Sequence, residues 1–380
     1  MSSNYIYLDY AASTPIDLRV VEVMAPYHGV ANPSSAHAAG RDVAERVEMS
    51  RRLVAGLIGG SPGEVVFTSG ATEANNLAIG GVCRAHRGGH IITAVTEHKA
   101  VLETVYAHCP VATVVPVDSD GRVDPEDVAR AMRPDTILVS VMAANNEIGT
   151  IGDIAAIGEI CKSREVLFHS DVAQAVGKTP IDVKSIAADL VSISAHKIYG
   201  PKGVGALWIS RYARDQISPI LFGGGHERGL RPGTLNVAGC VGFGEAARIA
   251  GERLEADFAV TSKCRAALID RLLDAFPDAQ FNGNVDNAVP GIVSVRIPGI
   301  DAESLLLATP SVAASTGSAC TSATPSPSHV LLALGHSHES ASECLRLSFG
   351  RFTTLDDIDA AVAALSSSVL PLRDDVLVGP

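Results

Sequence analysis

Between residues 64 and 195 the chain repeats one pattern: a short apolar run rich in β-branched residues, then a longer stretch with helical spacing. The runs are EVVFTSG (64–70), HIITAVTE (90–97), DTILVSVMA (135–143), EVLFHSD (165–171) and DLVSISA (189–195). Segments such as ATEANNLAIGGVCRAHR (71–87) and PEDVARAMR (125–133) lie between them, their apolar residues recurring nearer every 3.6 positions than every 2. Strands buried on both faces lose polar alternation, and parallel neighbours need a crossover, usually a helix. The pattern therefore predicts an α/β fold: a large domain with a mostly parallel sheet covered by helices. Ligands of such sheets bind beyond the carboxyl ends of the strands. That is where polar residues collect here, since SGATE, TEHK, NNE, SDVAQ and SAHK each follow an apolar run.

A second unit follows the helical stretch VAGCVGFGEAARIAGERL, where AVPGIVSVRIPGI and LRLSFGRFTTLDDIDAAVAAL read as strand and helix of an α+β arrangement. We place the large domain at 17–255 and the smaller α+β domain at 1–16 and 256–380. At 380 residues the chain has length for both, given roughly 100–200 residues per domain. Within the smaller unit, ATPSVAASTGSACTSATPSPS (308–328) has almost no large apolar residue, a composition that suits a functional or mobile loop. No internal repeat is visible.

Several function classes fall away on composition. A net charge of −12 has the wrong sign for phosphate-backbone binding, and aromatics at 4% are too few for a base-stacking surface, so no direct nucleic-acid partner is expected. No apolar run reaches the ~18 residues of a membrane span. The opening MSSNYIYLDYAASTP has no basic start or apolar core, so no secretory signal is expected. Seven cysteines, at 83, 109, 161, 240, 264, 320 and 344, form no C-x-x-C pair. Such spacing fits neither a disulfide framework nor a metal site and suggests reduced thiols in a cytoplasmic protein.

A few residues could carry chemistry. Lys197, in SAHKIYGPKG, sits just past an apolar strand, where desolvation lowers an amine's pKa and favours Schiff-base formation; a surface lysine is the plainer alternative. Asp171 closes EVLFHSD, where a carboxylate needs a cation, such as a protonated pyridine nitrogen, or else caps a helix. SGATEANNLAI puts Ala71 and Thr72 at a strand-to-helix junction suited to a phosphate, or to an ordinary cap. His98 could stack on an aromatic cofactor or move protons, although with twelve histidines an ordinary role is the plainer reading. Arg346, in LRLSFGR, suits a substrate carboxylate or a structural ion pair. Cys320, in TGSACTSATPSPS, lacks apolar neighbours and reads as an exposed thiol, reactive or idle; the other six cysteines read as structural.

Together these segments resemble the cysteine desulfurases, in the class V aminotransferase group of fold-type-I pyridoxal-phosphate enzymes. The likeness rests on YLDYAASTP, NPSSAHAAGR, FTSGATEANNLAI, TEHKAV, NNEIG, HSDVAQAVGK, SAHKIYGPKGVGAL, GGGHERGLRPGT, TGSACTSATPSPSHVLLALG and LRLSFGRFTT, in family order from residue 7 to 354. The resemblance implies that Lys197 holds pyridoxal 5′-phosphate and later moves the substrate Cα proton. It further implies that Asp171 meets the pyridine nitrogen, Gln174 and Asn146 contact the 3′-oxygen, and His98 stacks on the ring. Ala71, Thr72, Ser194 and His196 would bind the phosphate, with Thr234 contributed by the second subunit of a homodimer. Arg346, helped by Asn146, would hold the α-carboxylate of L-cysteine. Cys320 would attack the substrate sulfur, releasing L-alanine and carrying a persulfide to an acceptor protein. The loop reads ASTGSAC where SSGSAC is expected, and Pro232 stands where Ser is common; neither touches a reacting group. Its length and TSATPSPS tail match the long-cysteine-loop subgroup. Iron–sulfur scaffold assembly, tRNA thiolation and DNA phosphorothioation all use such enzymes, and the resemblance does not choose among them.

Overall fold

The computed structural model describes residues 5–316 and 327–377. Its large unit includes helix α1 (Ala38–Leu57), strand β1 (Val65–Thr68), α2 (Ala71–Ala85), β2 (His90–Ala94), α3 (Lys99–His108) and β3 (Thr113–Val115). It continues through β4 (Thr136–Ser140), β5 (Leu167–Asp171), β6 (Leu190–Ser194) and β7 (Gly205–Ile209) to the 39-residue helix α4 (Val237–Ala275). The seven strands form one sheet in the order β1-β7-β6-β5-β4-β2-β3. Strand pairs from β6 to β3 are all parallel, and only β7 is reversed, pairing antiparallel with both β1 and β6. Because β7 is flanked by two reversals, β1 runs in the same direction as β6.

The apolar runs are continuous because both faces of this sheet are covered. Val65 and Phe67 of β1, with Ile92, Val139, Phe168 and Val191, join one core with α1 and the first half of α4. Their chain neighbours Val66, Ile91, Leu138, Leu167 and Leu190 face the opposite core, built on α2 and α3. Successive strand residues point to opposite faces, so each needs an apolar side chain when neither face meets water.

A smaller sheet has the order β10-β11-β9-β8, from β8 (Gln280–Asn282), β9 (Ile292–Arg296), β10 (Ser315–Thr316) and β11 (Cys344–Ser348), all antiparallel. Leu8 near the amino end, Leu268 and Leu272 of α4, and Ile358 and Leu365 of the last helix, α5 (Leu355–Leu377), close its core. Helix α4 thus serves both cores: residues through Ala250 pack on the large sheet, and those from Cys264 on the small one. No linker separates the units at residue 255, since the helix runs through it unbroken. The six cysteines among the described residues are all buried and unpaired, as small apolar side chains. No described helix is long and apolar enough to cross a membrane.

Candidate active site

Since β1, β2, β4, β5 and β6 run the same way, the polar clusters that follow them converge on one edge of the sheet. They line a cleft of about 740 Å³. Ala71, Thr72, His98, Asn146, Asp171, Gln174, Ser194, His196, Lys197 and Arg346 all face it, together with Asp9, Asn75 and Lys202. Thr234 does not line it. Cys320 lies outside the described residues.

One end of the cleft is shaped for an anion. Gly70 turns from β1 into α2 with φ +156°, a conformation essentially closed to other residues, and a Cβ on neighbouring Gly205 would lie 2.6 Å from the Gly70 Cα. As N-cap, Gly70 offers no side chain to the first turn of α2, so Ala71 and Thr72 present an uncapped, dipole-positive helix start. Opposite stands Ser194, whose buried Oγ has no hydrogen-bond partner among the described residues. A buried hydroxyl left unpaired costs free energy, so both features call for an acceptor from outside the chain. His196 sits beside them, its Nδ1 3.3 Å from Ser13 Oγ, and burial followed by the charge of Lys197 pushes it down to about 4.

The far end is anionic. Asp171 Oδ2 accepts from Asn75 Nδ2 at 2.8 Å, and Oδ1 accepts from the Ala173 N–H at 2.9 Å. The second contact heads a run of turns rather than a helix, so of the two readings of Asp171 the helix cap is absent. Each carboxylate oxygen keeps lone pairs for a cation. Between the ends, Lys197 follows β6 on the short helix Ala195–Lys197 and donates from Nζ to the carbonyls of Ala11 at 2.5 Å and Ala12 at 2.8 Å. His98 caps α3, and its Nδ1 accepts from the Ala100 N–H at 3.0 Å. That bond leaves the ring proton on Nε2, and burial lowers its affinity for a second one, so the imidazole is neutral near pH 7.

The substrate side comes from the smaller sheet. Arg346, on its inner strand β11, donates from Nη1 to the Asn146 carbonyl at 2.9 Å and pairs from Nη2 with Asp9 at 2.8 Å. Its Nε is buried without a partner among the described residues, and the two bonds named use only two of the five guanidinium N–H groups. The ion-pair reading of Arg346 is met by Asp9, and the N–H groups left over keep the carboxylate reading open. Asp9, Asn75 and the carbonyls of Ala11 and Ala12 were not foreseen. None carries a local signal, because each matters through a partner far away in sequence.

Thr234 follows a segment clamped from outside the cleft. Arg51 donates to both oxygens of Glu227 at 2.7 and 2.8 Å, and Arg231 pairs with Glu73 at 2.9 Å.

An uncapped helix start with an orphan hydroxyl suits a phosphate, and a carboxylate across from it suits a protonated ring nitrogen. With a lysine amine between them, the cleft fits pyridoxal phosphate, and the fold is that of fold-type-I pyridoxal-phosphate enzymes. Comparison with known proteins agrees. Residues 6–361 match the family model described as aminotransferase class-V. The chain is 46% identical over 377 residues to the cysteine desulfurase IscS of Neisseria meningitidis, covering 97% of this chain and 93% of that protein. It superposes on a NifS-like protein with a TM-score of 0.89 at 36% identity, covering 97% and 100% of the two chains. A structure described as SspA in complex with cysteine matches with a TM-score of 0.80 at 34% identity, over 92% and 99%. The chain belongs to the cysteine desulfurases of the class V aminotransferase family, enzymes that depend on pyridoxal phosphate.

Proposed function

We propose that the protein converts L-cysteine to L-alanine and delivers the sulfur, as a persulfide on Cys320, to an acceptor protein. The observation that carries this reading is the convergence of Lys197, Asp171, His98 and Arg346 on one cleft that also holds an uncapped helix start. Bound pyridoxal phosphate supplies an electron sink for the carbanion left when the substrate Cα–H bond breaks. The chain does the rest. Ala71, Thr72, Ser194 and His196 would hold the phosphate, Asp171 would keep the ring nitrogen protonated, and Asn146 and Gln174 would meet the 3′-oxygen. His98 would face the ring as a neutral imidazole. Arg346 binds the substrate carboxylate, and Lys197 Nζ takes the Cα proton.

Cys320 thiolate then attacks the substrate sulfur. The new S–S bond forms as the C–S bond breaks, its electrons return to the carbon skeleton, and protonation yields alanine. A thiol of the acceptor takes the outer sulfur by attack on the persulfide. Thr234 points to a homodimer, because a phosphate ligand supplied from outside the cleft needs a second subunit. Six buried, unpaired cysteines support a reducing, cytoplasmic setting. The acceptor serves iron–sulfur assembly, tRNA thiolation or DNA phosphorothioation, and the large and small domains divide within α4 near residue 255.

Sulfide and alanine release from L-cysteine in the presence of a reductant tests the reading. Wild type should give equal amounts of both, and Cys320→Ala should give neither. Undiminished release from that variant would mean that the sulfur does not pass through Cys320 and would overturn the persulfide step.

A further inference from the structure

One half-buried lysine beside the cleft has no part in the reaction so far. Lys178 lies four residues after Gln174, on the turns that follow β5, and donates from Nζ to Gln174 Oε1 at 2.7 Å. Gly177 makes the return possible: its φ is +71°, and a Cβ there would meet Ile198 Cγ2 at 2.8 Å. From its other end the amide donates, Nε2 to the Ala11 carbonyl at 2.8 Å. The same carbonyl accepts from Lys197 Nζ at 2.5 Å. Lys178, Gln174, Ala11 and Lys197 thus form one hydrogen-bonded chain along the cleft wall.

The chemistry of these groups fixes a direction. The Ala11 carbonyl can only accept, so the amide atom facing it is the nitrogen, and the atom facing the Lys178 donor is the oxygen. The nitrogen then spends one N–H on Ala11 and keeps the other, on a side chain that lines the cleft. We propose that Lys178 is a positioning residue that locks the Gln174 amide with its N–H, rather than its oxygen, toward the cofactor's 3′-oxygen. This rests on the placement of Gln174 at that oxygen given above. Gln174 is buried, so without Lys178 its oxygen would lose its partner out of reach of water. Lys178 and Ala11 hold the amide from its two ends, and without Lys178 only the bond to Ala11 remains to fix it. Desolvation, with Lys197 and Arg346 nearby, pushes Lys178 down to about 7.

The readout is the pH midpoint of the visible absorption band of the purified holoenzyme, taken with its cofactor content. An N–H held against an anionic oxygen lowers that midpoint. Lys178→Met should raise it by about one unit, whereas Lys178→Arg, which keeps a charged donor, should stay near wild type. In a Gln174→Ala background, Lys178→Met should add no further shift, because the effect runs through the amide. Lys178→Ala replaces the Met variant if that protein is not recovered folded with cofactor. An unmoved midpoint in the Lys178 variants, or an equal shift without Gln174, would overturn the lock. If Gln174→Ala by itself leaves the midpoint in place, the lock falls too, and the fault lies in the placement of Gln174.

Discussion

Arg346 shows how a single residue can satisfy two descriptions at once. Its Nη2 is tied to Asp9 and its Nη1 to the Asn146 carbonyl, which fixes the guanidinium plane, while Nε stays open. A fixed plane with N–H groups left over is suited to a substrate carboxylate, since little further entropy is lost on binding. A hydrogen bond between charged groups contributes about 1.5–3 kcal/mol, so Arg346→Ala should raise KM for L-cysteine roughly 10- to 150-fold. Cofactor content should be unchanged, and steady-state kinetics with a cofactor assay checks both. Equal loss of cofactor and substrate affinity would assign the arginine to structure alone. The sequence reading left carboxylate binding and ion pairing open for this residue, and the structure shows the ion pair. It could not supply Asp9, which stands 337 positions away.

At the scale of elements, the runs read as strands are strands, with ends trimmed by a residue or more. EVVFTSG yields β1 at Val65–Thr68, and DLVSISA yields β6 at Leu190–Ser194. Of the residues trimmed from EVVFTSG, Ser69 and Gly70 turn into the cleft, while Glu64 lies at the opposite end of the strand. The reversed strand β7 was not legible, because an apolar pentapeptide such as GALWI carries no mark of direction. Nor was the clamp on the segment before Thr234. There Glu227 and Arg228 adopt φ of 45° and 58°, which disfavours side chains, and the buried Arg51–Glu227 pair holds the turn in place. Glu227 also accepts from the Phe67 N–H at 2.7 Å, joining the turn to β1. Removing one partner of such a pair strands the other charge in the interior. Glu227→Ala should therefore destabilise the fold by ~3–5 kcal/mol in urea unfolding. A loss below about 1 kcal/mol would mean that other contacts hold the turn.

Across the whole molecule, the two units are riveted at Arg351. Its Nη1 donates to Asp17 at 3.0 Å and its Nε to Asp257 of α4 at 2.9 Å, while the guanidinium lies 3.8 Å from the centre of the Tyr199 ring. Asp17 is held down to about 2, from a usual 3.8, first by its hydrogen bonds to Arg19 and further by Arg351. A carboxyl depressed in the folded state contributes stability that is fully present above its unfolded value. That contribution is lost as pH falls through the folded one. Thermal stability should therefore decline between about pH 4 and pH 2, and Asp17→Asn should flatten that decline. Melting curves across the range check it, and an unchanged slope in the variant would place the acid sensitivity elsewhere.

By itself the sequence determined the layered α/β class, the edge where chemistry gathers, and the residue types at that edge. Apolar runs and the polar residues that end them are local features, read within a few positions. Tertiary structure alone decided how those residues are held: Asn75 on Asp171, Lys178 on Gln174, and the carbonyls of Ala11 and Ala12 on Lys197. Most of these partners are brought together by the sheet from 96 to 186 positions apart. A hydrogen bond depends on distance and direction in space, and linear order carries neither across such separations.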